Sequence, residues 1–164
     1  ERPESGTVTF EGHQLYTGGE GEQAKIRNER IGFVFQGYFL LTELTALENV
    51  LLPTMIGGKV KRALAEQALE HVGLADRMHH LPTELSGGEQ QRVAIARAII
   101  NDPSVIFADE PTGNLDSKTG ESIIELLLAL VKEKGKTLVV VTHDANLAGR
   151  GNRRMEIRDG LLVA

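Results

Sequence analysis

Three short apolar runs in this sequence each end in polar groups able to do chemistry. Ile31-Gly32-Phe33-Val34-Phe35 is followed by Gln36, Val105-Ile106-Phe107-Ala108 by Asp109 and Glu110, and Leu138-Val139-Val140-Val141, one residue further on, by His143. A carboxylate pair, an amide and an imidazole around one cleft suit transfer of a phosphoryl group to water. One carboxylate can hold Mg²⁺ through its waters, and a second can orient or deprotonate the attacking water. The amide and the imidazole can sense the terminal phosphate. Any one such ending also occurs where a strand merely returns to solvent, but three in one chain point to a site.

A second cluster is Leu85-Ser86-Gly87-Gly88-Glu89-Gln90-Gln91-Arg92. Ser86 and Glu89 have the spacing of a capping box, which satisfies backbone donors at a helix start. Capping does not explain Gly87 and Gly88, each of which costs roughly 0.5–1 kcal/mol in a helix relative to Ala. Their bare N–H groups at the positive end of a helix dipole would let an anion approach closely.

The elements that must position these groups read as an α/β chain. The three apolar runs suit strands covered on both faces of a parallel sheet, whose ligands bind beyond the carboxyl ends of the strands. Between the first two runs lie helical patterns at about Thr45–Leu52 before Pro53, Lys59–Val72 before Gly73 and Gln90–Ile100 before Pro103. A further helix, about Ser117–Lys134, ends at Gly135 and leads into the third run, in the strand, helix, strand order of a parallel sheet. Ahead of the first run, Thr7–Glu11 and Gln14–Tyr16 read as a short antiparallel pair, and a short helix runs to about Arg30. Arg154–Arg158 and Leu161–Ala164 read as a hairpin turning at Asp159-Gly160.

The strings themselves resemble those of the ABC transporter ATP-binding subunits. LSGGE at Leu85–Glu89 looks like the signature motif, and VIFADEP at Val105–Pro111 looks like Walker B with its following glutamate. Gln36 after GFVFQ matches the Q-loop, Asn114-Leu115-Asp116 the D-loop, and His143 in VTHD the switch histidine. FADEPTGNLDSKTG is similar to the lipoprotein-releasing, macrolide-efflux and cell-division subgroup. The resemblance implies that Asp109, with Gln36, serves the metal, that Glu110 is the general base, and that Gln36 and His143 contact the metal or the γ-phosphate. It implies that Ser86, Gly87, Gly88 and Glu89 bind ATP held by a second subunit of a head-to-tail homodimer, with Asp116 at that interface. Tyr38–Val50 is the candidate contact with an integral-membrane permease, or else an ordinary apolar helix start packed inside the subdomain.

The implied fold is a P-loop NTPase-like parallel-sheet core, residues 1–36 and 101–164, with an ABC-type helical subdomain at 37–100, in one domain spanning 1–164 and incomplete at the N-terminus. No phosphate-binding loop is present. Gly135-Lys136-Thr137 lacks the earlier glycine, since Leu130 stands in its place, and Gly57-Gly58-Lys59-Val60 fails at the last residue. Glu1 to Gly6 reads as an internal start just after the missing loop. The expectation is therefore a shortened chain that does not hydrolyse ATP alone and is less stable than the full domain, or self-associates.

The 164 residues are 41% hydrophobic and 25% charged, enough for one globular core, and the net charge of -5 gives no basic field for nucleic acid. The longest apolar run, Leu126–Val131, is far short of the roughly 18–20 residues of a membrane span. The resemblance implies a peripheral place on the cytoplasmic face of the inner membrane. Two other readings are a non-hydrolytic interaction fragment and the head of a DNA-repair ATPase. The absence of long heptads and of Cys between Gln36 and Ser86 speaks against the repair ATPase. His71, His79 and His80 lack the carboxylate spacing of a metal site and read as surface histidines.

Overall fold

A computed structural model describes residues 3–163; Glu1, Arg2 and Ala164, where the internal-start reading begins and the last expected strand ends, lie outside the described residues. In chain order the elements are β1 (Thr9–Phe10), β2 (His13–Gln14), α1 (Glu20–Arg30), β3 (Ile31–Phe35), α2 (Ala46–Ile56), α3 (Arg62–His71) and α4 (Gly87–Ile99). They continue as β4 (Val105–Asp109), α5 (Ser117–Lys134), β5 (Thr137–Val141), α6 (Ala145–Ala148), β6 (Glu156–Arg158) and β7 (Leu161–Val163). The β1–β2 pair is shorter than the sequence suggests, and α6, only four residues long, was too short to carry a readable period.

The three apolar runs form one parallel sheet in the order β3-β4-β5. Their last rung aligns Phe35 with Asp109 and Asp109 with Val141, so the polar residues that end or follow the strands reach one edge together. Alternation sends Val34, Ile106 and Ala108 into a core shared with Val93, Ile95 and Ile99 of α4 and Ile123, Leu127 and Leu130 of α5. Gly32 permits the closest approach: a Cβ there would meet the Ala98 carbonyl of α4 at 2.6 Å.

Coverage on both faces does not hold. Phe33 and Phe107, stacked with centroids 5.7 Å apart on the face away from the core, remain 39% and 37% exposed. The strands are apolar throughout, as two-sided burial requires, but among the described residues the buried core lies on one side of them.

The segment between β3 and β4 packs α2, α3 and α4 around Leu47, Val50, Ala65, Leu69 and Val93. α2 continues through Pro53, where the sequence pattern suggested an end. Pro53 opens the last turn, so its missing N–H removes one rung and the helix stops three residues later. Arg92 braces the group, donating to the Val72 carbonyl after α3 at 2.9 Å and to Ser122 Oγ on α5 at 2.7 Å. At the carboxyl end, Asp159 and Gly160 both take positive φ, 49° and 78°, as a two-residue hairpin turn requires.

Candidate functional site

At the sheet edge Glu110 and His143 form a direct pair. Glu110 follows β4 in a left-handed conformation, φ 43°, which costs a non-glycine residue roughly 1–2 kcal/mol. Its N–H donates to the Val141 carbonyl at 2.9 Å. One carboxylate oxygen, Oε1, then accepts from the His143 backbone N–H and from His143 Nδ1, both at 2.7 Å. The other, Oε2, accepts only from Thr142 Oγ1, at 3.2 Å. An imidazole whose Nδ1 faces a carboxylate donates from that nitrogen, leaving Nε2 toward solvent. The ring is 87% exposed, so Nε2 is accessible. Asp109, on the last rung and exposed, makes no side-chain hydrogen bond among the described residues.

Gln36 meets a partner that sequence spacing does not reveal. Its Nε2 donates to Asn114 Oδ1 at 3.1 Å, and Asn114 Nδ2 donates back to the Gln36 carbonyl at 3.0 Å. Gly113 makes room for this exchange, because a Cβ there would meet Gln36 Nε2 at 2.6 Å. The same segment is pinned from α4 by Gln91, wholly buried, whose Nε2 donates to the Pro111 carbonyl at 2.7 Å. Residues 110–116 are thus tied to the ends of β3 and β5 and to α4.

The signature end of α4 lies against the start of α5. Ser86 and Glu89 form the expected capping box: Ser86 N–H and Oγ donate to Glu89 Oε2 at 2.8 and 2.7 Å, and Glu89 N–H donates to Ser86 Oγ at 3.3 Å. The Ser86 backbone and hydroxyl hydrogen bonds hold the Glu89 carboxyl below the usual range. Asp116 caps α5, accepting from the N–H groups of Lys118 and Thr119 at 3.1 Å each, and its hydrogen bonds with Thr119 depress its pKa in the same way. The two helix starts touch. A Cβ on Gly88 would meet Thr119 Cγ2 at 2.5 Å, and one on Gly87 would meet the Tyr38 hydroxyl at 2.9 Å. Both glycines therefore have a packing reason beside the anion-binding one.

The loop after Gln36 is unusual in backbone conformation. Tyr38 and Phe39 are consecutive left-handed residues, φ 58° and 47°. Arg97 of α4 donates to both of their carbonyls, and burial of its guanidinium lowers its pKa. Further along, the buried Asn49 side chain binds the N–H and carbonyl of Leu41 and the carbonyls of Leu44 and Thr45. Gln91, Arg97 and Asn49 were given no role from the sequence; their signal is a polar side chain inside a helical stretch, which does not name its partner. Asn114 was read as part of the D-loop, without Gln36 as its partner.

The structure therefore gathers the sequence-marked residues in two clusters. Gln36, Asp109, Glu110 and His143 line the sheet edge, while Ser86, Gly87, Gly88, Glu89 and Asp116 surround two adjoining helix starts. Residues 110–116 join them. A cavity of about 260 Å³ lined by His13, Thr17, Glu22 and Ile26 includes none of these residues. His71 meets Glu133 at 3.2 Å and His80 meets Arg77 at 3.0 Å.

A family model described as ABC transporter matches residues 1–113. An uncharacterized ABC transporter ATP-binding protein of Thermotoga maritima is 55% identical over 163 residues, covering 98% of this chain and 69% of its own length. The lipoprotein-releasing system ATP-binding protein LolD of Shewanella denitrificans is 52% identical over 165 residues, covering 99% and 71%. Among solved structures, a dimeric post-hydrolysis state of the ATP-binding cassette MJ0796 bound to ADP and Pi aligns with a TM-score of 0.85 and 46% identity. It covers 98% of this chain and 72% of that one.

Proposed function

The chain belongs to the ABC transporter ATP-binding family, and from that membership we propose that it serves as the ATP-hydrolysing part of a transporter of the lipoprotein-release type. Its likeness to relatives named for lipoprotein release extends over nearly its whole length. In this reading it works as a head-to-tail homodimer, peripheral on the cytoplasmic face of the inner membrane. It docks on an integral-membrane permease through the exposed part of Tyr38–Val50, around Phe39 and Leu41, since Ala46, Leu47, Asn49 and Val50 are buried. Among the described residues no helix is long and apolar enough to cross a membrane.

The residues fit Mg²⁺ accompanying a nucleotide. That ion keeps most of its waters and needs only one or two protein carboxylates beside the phosphates, and Asp109, exposed on the last rung, offers a carboxylate with no side-chain hydrogen bond among the described residues. Mg-ATP, when bound, would supply the phosphoryl group and the metal's charge beside Asp109. Glu110 takes the proton of the attacking water on Oε2, the oxygen held only by Thr142, while Oε1 keeps the His143 ring oriented. His143, with Nδ1–H on Glu110, would donate Nε2–H to a γ-phosphate oxygen in the form of the ring that carries both protons. Gln36 contacts the metal or the phosphate from the end of β3, at a position set by Asn114. Gly87 and Gly88 would offer helix N–H groups to the γ-phosphate of the partner's nucleotide, and Ser86 the hydroxyl that here donates to Glu89 Oε2, while Asp116 lies at the same interface.

The observation that carries this reading is the last rung Phe35, Asp109, Val141, which sets Gln36, Glu110 and His143 at one edge. The 164 residues contain no Gly-x4-Gly-Lys-Ser/Thr, so the chain by itself is expected to hydrolyse ATP very weakly or not at all. The test compares Mg-ATP turnover of this chain with that of a chimera preceded by the amino-terminal segment of the Thermotoga maritima relative. The chimera should turn over ATP, and its Glu110→Gln variant should bind ATP yet lose roughly 10²-fold or more in kcat. Turnover by the short chain unaided, or an undiminished Glu110→Gln chimera, would refute the reading.

A further inference from the structure

We propose that Arg97 is a positioning residue of this site: from α4 its guanidinium holds the loop that follows Gln36, and so sets where Gln36 and the Ser86–Gly88 end of α4 stand relative to each other. The functional half of this inference rests on the ATPase reading, whereas the structural half rests on geometry alone.

Arg97 Nη2 donates to the Tyr38 carbonyl and Nη1 to the Phe39 carbonyl, each at 2.6 Å. Those carbonyls belong to the two consecutive left-handed residues, φ 58° and 47°. Bulky L-residues leave that region unless their surroundings over-determine them. A planar cation with two N–H groups aimed at neighbouring carbonyls does so, and a single ammonium cannot reproduce the fork. Among the described ion pairs no carboxylate partners Arg97, so its charge is directed at these carbonyls.

The clamp has consequences on both sides. Gln36, just upstream, reaches Asn114 and through it the segment that carries Glu110. Tyr38 itself brings its hydroxyl over Gly87, near enough that a Cβ there would meet it at 2.9 Å. One arginine thus fixes the loop at two places: the sheet edge and the start of its own helix.

The chain contains two tyrosines, Tyr16 and Tyr38, so 3-fluorotyrosine gives two fluorine resonances, assigned with Tyr16→Phe. Arg97→Met should carry the Tyr38 resonance toward its unfolded position and leave Tyr16 in place, with Arg97→Lys between. In the ATP-hydrolysing chimera, Arg97→Met should lower kcat about tenfold or more while KM for ATP changes less than about threefold, and Arg97→Lys should recover part of the loss. A Tyr38 resonance unmoved in both variants overturns the proposal. So does collapse of both resonances together in Arg97→Lys, which would make Arg97 a support of the whole fold. An inactive unsubstituted chimera overturns the ATPase reading instead, and the two failures are separable because the fluorine spectrum does not depend on turnover.

Discussion

At Gly88 a side chain is excluded for two independent reasons, and they can be separated. The first is packing: an added Cβ would stand 2.5 Å from Thr119 Cγ2. Gly88→Ala gains roughly 0.5–1 kcal/mol of helix preference but must displace a methyl between two adjoining helix starts, an overpacking cost of about 1–3 kcal/mol. A net loss of about 1 kcal/mol in urea unfolding is expected. Thr119→Ser removes the obstructing methyl and keeps the hydroxyl, so the Gly88→Ala/Thr119→Ser pair should regain the stability of the unsubstituted chain. The second reason is the proposed phosphate contact, which the pair cannot restore, so in the chimera nucleotide-dependent pairing of subunits should stay weakened. Recovery of both would leave packing as the whole explanation of the glycine. Among single residues, Gln36, Asp109, Glu110 and His143 were legible because each ends or follows an apolar run. Arg97 and Gln91 were not: Arg97 finds its carbonyls 58 and 59 positions away, Gln91 finds Pro111 20 positions away, and no periodicity encodes such pairings.

Three of the longer helices begin with carboxylates engaged by N–H groups, and this makes the elements sensitive to acid. Glu48 at α2 and Glu89 at α4 sit in capping boxes with Thr45 and Ser86, and Asp116 caps α5. All three carboxyls are depressed below their ordinary values, chiefly by those cap hydrogen bonds. A carboxyl whose folded pKa is depressed adds stability above its unfolded pKa and loses it as pH falls through the folded one, because the unfolded chain binds protons first. Stability should therefore decline below about pH 4.5. Glu48→Gln with Asp116→Asn keeps both caps but removes two of the titrating groups. The urea midpoint should fall modestly at pH 7, where the charged form of the caps contributes, and then fall less steeply toward pH 3.5. Thr45→Ala, by contrast, should cost about 1 kcal/mol at neutral pH without touching the residues proposed to face a phosphate. Helix starts were readable because Ser, Thr and Asp caps are local signals. The end of α2 was not, since continuation through Pro53 depends on packing of the preceding turns, and the open face of the sheet was not, since apolar strands look alike whether one face is covered or two.

For the whole molecule the open side of the sheet is the dominant feature. Phe33 and Phe107 stack on it, Val141 at the end of β5 is 58% exposed, and the β6–β7 hairpin leaves Ile157, Leu161 and Leu162 at 71%, 72% and 67%. Exposed apolar surface of this kind favours association, and β3 and β5, each paired on one side only among the described residues, add unpaired backbone groups at both edges of the sheet. A net charge of -5 opposes contact between copies only over about one Debye length, some 8–10 Å in physiological salt. The chain is therefore expected to self-associate as concentration rises and to bind a hydrophobic dye while keeping its native circular dichroism. Sedimentation velocity over about a twentyfold range of concentration measures the first. Val141→Lys places a charge on the open face without altering the backbone N–H and carbonyl bonds of β5, and Ile157→Lys does the same on the hairpin. If the sheet face drives association, Val141→Lys should shift the population toward monomer and reduce dye binding, and the double variant should do so further. A chain that stays monomeric and dye-free at every concentration would mean that these side chains are accommodated within one molecule, and that the acidic surface alone keeps copies apart.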